Sequence, residues 1–345
     1  MECMTERPVR PHGGAALAGR AFDVEAFRSL DFARREDDAI WTHEWVCIGS
    51  VADIPGVGDL LPFTVGDHAI HVQRMPGGEL AGRFNKAQHG GCRVVPLQCR
   101  QGAKTPCSFT SCGHSLDRPA IPAGELDVGA PAMYQYLGLR PERLLPVRIA
   151  TLGPLLFANL DPGGEPFDTT ASAVRQALPA LAGEDWREPQ QQWHACDANW
   201  KLAGQHLVGA SPSAPLSGND VLLVQTDDGG TRALWLFPNL VVLATAASLC
   251  VVVLQATALT RTLCRVVTFA RGDRAPAPWD VLLAARLGAA ARAQAAIEGG
   301  GIRGRGSDPA QHLDPGGRWL EAQVLARMAA HDAASPMDRQ GEPRT

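Results

Sequence analysis

ALWLFPNLVVLATAASLCVVVLQATALT, residues Ala233–Thr260, contains no charged side chain. A stretch of that length is long enough for a membrane-spanning helix. Its internal composition argues otherwise. Pro238, Asn239, Thr245, Ser248, Gln255, Thr257 and Thr260 interrupt it, and its Val-rich pieces, Leu240–Leu243 and Cys250–Leu254, are short and β-branched. Short β-branched runs between turn-forming residues read as buried sheet strands. Two or three strands are therefore expected here, and no membrane span.

Upstream the same signature recurs. Leu60–Val65, Ala69–Gln73, Leu80–Phe84 and Leu155–Asn159 are apolar runs separated by Gly, Pro and Asp, as in a small all-β domain. Met75-Pro76-Gly77-Gly78-Glu79 suits a hairpin turn between two of them. A short helix and a strand are expected within Ile40–Gly49. Residues 1–35 read as a loose arm with one short helix at Val24–Arg35. After Asp161-Pro162-Gly163-Gly164 the pattern changes: Thr169–Leu181 reads as helix, and strands dominate from Gln191 to Phe269. Pro276 and Pro278 precede a helix at Trp279–Glu298, which stops at Gly299-Gly300-Gly301. Trp319–His331 is a further helix. The expected division is an arm (1–39), a β domain (40–162) with a connecting segment (163–190), an α+β domain (191–332) and a disordered tail (333–345).

The 345 residues allow two domains with separate cores, and 45% apolar with 20% charged residues is ordinary for a globular chain. A net charge of −4 gives no reason to expect nucleic acid as a partner. Met1–Arg20 is polar and broken by Pro and Gly, so no secretory signal is read there. The nine cysteines are irregularly spaced. Free thiols or metal ligands in a reducing cytoplasm are expected rather than a disulfide framework.

Several segments, in order, are similar to one family. They are Glu44-Trp45-Val46-Cys47-Ile48-Gly49, Asp53-Ile54-Pro55 with Gly58-Asp59, Phe84-Asn85-Lys86-Ala87-Gln88-His89-Gly90-Gly91, Cys107-Ser108-Phe109-Thr110 with Leu116-Asp117, Leu156-Phe157-Ala158-Asn159-Leu160-Asp161, and Asn199-Trp200-Lys201-Leu202. From about Ile40 to Glu298 the chain resembles the α subunits of Rieske-type non-haem iron, aromatic-ring-hydroxylating oxygenases. The resemblance implies an α+β protein: an N-terminal Rieske-like all-β domain, then an antiparallel-sheet α+β domain (Bet v1/START-like) of the catalytic type. It also implies a [2Fe–2S] cluster, a mononuclear Fe(II), and assembly as a homo- or hetero-oligomer of the trimer type with a Rieske oxygenase α subunit.

The residues at the implied ligand positions depart from the family. A Rieske cluster takes two Cys and two His. The matching positions are Ala87, His89, Cys107 and Thr110, so only His89 and Cys107 survive as ligand types. The iron site takes two His and a carboxylate. Counting from Asn199 places the histidines at Ser213 and Gly218, and counting back from Gln294 places the carboxylate at Arg286. The acid that carries electrons between subunits falls on Ala210. His194, Asp197, His206, Asp220, Asp280 and Glu298 are the nearby substitutes, and none forms a ligand set by spacing.

Cys92, Cys112 and His114, together with His89 and near Cys99, give a second possibility, a tetrahedral zinc site. Gly299–Gly306 follows a helix and is no phosphate loop, no Gly-x-Ser-x-Gly elbow occurs, and Cys107 or Cys112 with His114 lacks an orienting partner. The resulting expectation is a non-catalytic companion with no bound cofactor: a scaffold, regulatory or ligand-binding subunit. An active oxygenase with unorthodox ligation and a zinc-stabilised, non-redox binding protein are the alternatives.

Overall fold

The apolar runs do become strands, and they close into two antiparallel sheets. The computed structural model describes residues 24–84, 145–182, 186–209, 216–217, 220–225, 230–271, 277–300 and 315–334. Strands β1 (Val46–Ser50), β2 (Leu60–Val65), β3 (His68–Arg74), β4 (Leu80–Phe84), β5 (Pro146–Leu152) and β6 (Leu155–Asn159) form a six-stranded sheet in the order β1-β6-β5-β4-β3-β2. The hairpin between β3 and β4 turns where expected. Gly78 N–H donates to the Met75 carbonyl at 2.9 Å, and Gly78 has φ 88°, a left-handed conformation that suits glycine. Strand β5 was not singled out from the sequence. Only two of its seven residues are buried, so PVRIATL lacks a strong apolar alternation.

The second sheet runs β7-β13-β12-β11-β10-β9-β8. It comprises β7 (Trp186–Cys196), β8 (Leu216–Ser217), β9 (Val221–Gln225), β10 (Arg232–Leu236), β11 (Leu240–Ala244), β12 (Ser248–Ala258) and β13 (Arg261–Arg271). The charge-free stretch supplies β10, β11 and most of β12, with Leu234 opposite Val242 and Val242 opposite Val251. Leu234, Trp235, Val241, Val242, Val251 and Val252 are each 0% exposed, which explains why successive positions on these strands are apolar. Among the described residues no helix is long and apolar enough to cross a membrane.

Among the described residues, five α-helices accompany the sheets: α1 (Leu30–Glu36), α2 (Phe167–Ala177), α3 (Trp200–Val208), α4 (Trp279–Glu298) and α5 (Pro315–Ala334). Helix α4 has the bounds read from the sequence. Helix α2 ends before the expected Leu181 because Pro179 disfavours helical backbone at Leu178, and a 3₁₀ turn at Pro179–Ala182 follows. The arm is not loose from Val24 onward. Ser29 caps α1, whose last residue, Glu36, is 2% exposed. Helix α5 extends through Ala334, past the residue 333 expected to open the tail.

Side chains knit one sheet to the other. The Asn239 amide accepts from Cys47 N–H at 2.9 Å and donates to the Cys47 carbonyl at 2.7 Å, acting as an extra strand residue beside β1. Arg265 on β13 lies over the rings of Phe63 and Trp193, 5.0 and 4.3 Å from their centroids, and points donors at the Ile48 and Pro62 carbonyls. Gln191 donates to Asp53 at 2.5 Å.

Candidate functional site

Helix α3 is short, and almost every side chain on it is committed. Asn199 is its N-cap: its side-chain oxygen accepts from Lys201 N–H, its amide nitrogen donates to the Leu259 carbonyl at 2.8 Å, and its backbone N–H donates to Gln294 Oε1 at 3.1 Å. Gln294 thereby holds α4 to the start of α3. The next two residues reach back to the arm. Lys201 Nζ lies 2.6 Å from Glu36 Oε1, and the Trp200 indole donates to Glu36 Oε2 at 3.4 Å. Lys201 is 0% exposed, and its ammonium is within 5.7 Å of the Phe27, Phe32 and Trp200 ring centroids. Burial pushes the Glu36 carboxyl up and the Lys201 amine down, and each opposes the other's shift.

Midway along the helix, Gly204 permits close approach to the sheet. A Cβ there would stand 2.3 Å from the Trp235 ring, so only glycine lets α3 lie on that side chain. At the far end, Arg286 of α4 donates through Nη1 to the Leu207 carbonyl in the last turn of α3. Gly209 follows with φ 78°, and a Cβ at this residue would meet the Arg286 guanidinium at 3.2 Å. A cation at a helix C-terminus complements the helix dipole and a carbonyl left unpaired by the end of the helix.

The other residues singled out from the sequence are dispersed. His206 is half-buried in the last turn of α3. His194 lies on β7 with Nε2 3.2 Å from Gln192. Asp197 pairs with Arg261 at 3.0 Å on the surface, Asp220 pairs with Arg327 of α5, and Asp280 and Glu298 lie at the ends of α4. Among the described residues no group of three or more His, Cys, Asp or Glu could hold a metal ion. Cys47, Cys196, Cys250 and Cys264 are buried free thiols, and burial raises all four; Cys47 and Cys250 are pushed up to about 12. Their burial disfavours the thiolate form at neutral pH. Ala87, His89, Cys92, Cys99, Cys107, Thr110, Cys112, His114, Ala210, Ser213 and Gly218 lie outside the described residues. Glu36 and Asn239 were missed in the sequence, because no local pattern links either to a partner so distant along the chain.

No protein-family model matches the chain. Curated relatives do. It is 28% identical over 196 residues to the biphenyl 2,3-dioxygenase subunit alpha of Rhodococcus jostii, covering 53% of this chain and 41% of that protein. It is 26% identical over 179 residues to the glycine betaine monooxygenase oxygenase subunit of Chromohalobacter salexigens, covering 50% and 39%. Among solved structures, the apo form of the quaternary ammonium Rieske monooxygenase CntA superposes with a TM-score of 0.65 at 14% identity, covering 89% of this chain and 94% of that one. The homologues of this chain are Rieske non-haem iron oxygenase α subunits.

Naphthalene 1,2-dioxygenase, with a TM-score of 0.55 at 12% identity, shares the same two-sheet plan. At such identities the structural likeness carries the fold. The matches to the two curated Rieske relatives span only about two fifths of those proteins' own lengths. The antiparallel sheets and these structural matches are consistent with the α+β, two-domain architecture read from the sequence.

Proposed function

We propose that this chain is a non-catalytic homologue of the Rieske oxygenase α subunits, a scaffold, regulatory or ligand-binding subunit that assembles with an active α subunit in the cytoplasm. The observation that carries this reading is the placement of Arg286. Counted from Gln294, which bonds Asn199, it stands where the family resemblance puts the carboxylate ligand of iron, and its guanidinium is bound to the end of α3 instead. Guanidinium has five donors, no acceptor and a permanent positive charge. It cannot ligate Fe(II), and it repels a cation brought near it. Serine and glycine at positions 213 and 218 supply no imidazole, and alanine and threonine at 87 and 110 supply neither thiolate nor imidazole. These residues do not fit the family's metals.

Arg286 also bears on ligand class. CntA has been solved with γ-butyrobetaine as substrate. In this reading a fixed cation at the implied iron position disfavours quaternary ammonium compounds, so neutral or anionic molecules are the ligands to try first.

A second reading, an oxygenase with unorthodox ligation, is favoured by the names of the matched relatives, which are oxygenase components. Elemental analysis of the purified protein separates the readings. Neither iron nor zinc in stoichiometric amount is the expected result. Two to three irons per chain with visible absorbance would establish the oxygenase, and one zinc without colour would establish the zinc-stabilised alternative at Cys92, Cys112 and His114. Mixing with an active α subunit should then give a mixed oligomer by size-exclusion chromatography and native mass spectrometry.

A further inference from the structure

We propose that one face of the N-terminal sheet, at Thr64, His71 and Arg83, is a binding site for a small oxyanion. The register of β2, β3 and β4 sets His71 directly opposite Pro62 on one side and Arg83 on the other, with Thr64 opposite Ala69 one step along the same face. Among the described residues, four buried polar atoms there have no hydrogen-bond partner: Thr64 Oγ1, both ring nitrogens of His71 and Arg83 Nη1. His71 is 0% exposed. A buried polar group without a partner is costly, and native proteins rarely leave several together. Their clustering on one face of three adjacent strands therefore points to an occupant.

The chemistry of the set selects that occupant. Thr64 and Arg83 offer donors, and a histidine ring offers at least one more. The remaining positions on this face are Leu60, Pro62, Ala69, Gln73 and Ala81, so no carboxylate on these strands neutralises Arg83. The nearby Asp37 pairs instead with His68, at 3.3 Å, on the opposite face. Burial, and then the charge of Arg83, depress the His71 imidazole to about 3, so it is neutral and a cation finds only one ligand beside a repelling guanidinium. Buried water could satisfy the neutral groups but supplies no counter-charge to Arg83. A phosphate or a carboxylate supplies both acceptor oxygens and the counter-charge. The test of this site does not depend on the reading of the chain as non-catalytic.

The full chain should be titrated with inorganic phosphate, sulfate and acetate against chloride at matched ionic strength, by calorimetry and by thermal unfolding. One saturable site per chain is expected for at least one oxyanion, with a shift of the His71 ring ¹⁵N resonances on binding. A preference for phosphate and sulfate over acetate would assign a tetrahedral anion, and the reverse a carboxylate. Arg83→Met should weaken binding at least tenfold, with Arg83→Lys recovering part of it, and Thr64→Val should weaken it less. Should Arg83→Met fail to fold, the wild-type titration and the His71 resonances still decide. The proposal is overturned if no oxyanion differs from chloride, as buried water alone predicts, or if binding persists unchanged in Arg83→Met.

Discussion

The two ends of helix α3 are built on different principles. At its start, Asn199, Trp200 and Lys201 lock the helix to α4, to the loop after β12 and to Glu36 in the arm, with most of the contacts fully buried. At its finish, Arg286 satisfies a terminal carbonyl beside Gly209, a half-buried arrangement that needs only one long side chain. The first end specifies how the pieces of the fold meet. In the reading proposed above, the second end is where the family places its iron chemistry. In that reading, framework and chemistry are separated by the length of one short helix, and a substitution at one end should leave the other intact.

That contrast can be broken most forcefully at Lys201. Lys201→Met leaves the Glu36 carboxylate buried without its cation and should destabilise the chain by about 3–5 kcal/mol, measured by urea unfolding. Adding Glu36→Leu should restore most of the loss; a double variant as unstable as the single one would show that the pair is not the lock. A smaller effect is expected from Asn199→Ala, which removes the cap and the bond to Leu259, about 2 kcal/mol in the same assay. In the middle of the helix, Gly204→Ala forces a methyl into the Trp235 ring and should cost about 1–3 kcal/mol, read as a lowered melting temperature. Arg286→Met at the far end loses the hydrogen bond to Leu207 and should cost only about 1 kcal/mol. If Arg286→Met proved as damaging as Lys201→Met, the separation of the two ends would be wrong.

Much of the fold was legible because its signals are local. The β3–β4 hairpin, the strands in Ala233–Thr260 and the bounds of α4 follow from residue type, turn glycines and flanking prolines. Strand β5 was not, since only two of its seven residues are buried and it carries little period-two pattern. The motif Asn199-Trp200-Lys201 was visible in the sequence as a family likeness. Its structural reason was not, because Glu36, Gln294 and Leu259 reach it from segments far away along the chain. Arg286 was marked by counting alone, and its bond to Leu207 depends on the packing of two helices. The orphaned polar atoms of Thr64, His71 and Arg83 emerge only from the pairing of three strands. His89, Cys107 and the other cluster positions lie outside the described residues, so their reading still rests on residue identity.

The central claim is that Arg286 and its neighbours do not hold iron. Anaerobic reconstitution of the full chain with excess ferrous iron and sulfide, followed by desalting, iron determination and electron paramagnetic resonance of the dithionite-reduced sample, tests it directly. Iron far below one per chain and no Rieske signal is the predicted result. Stoichiometric iron retained after desalting, with a reduced [2Fe–2S] signal or a mononuclear ferrous centre, would contradict it.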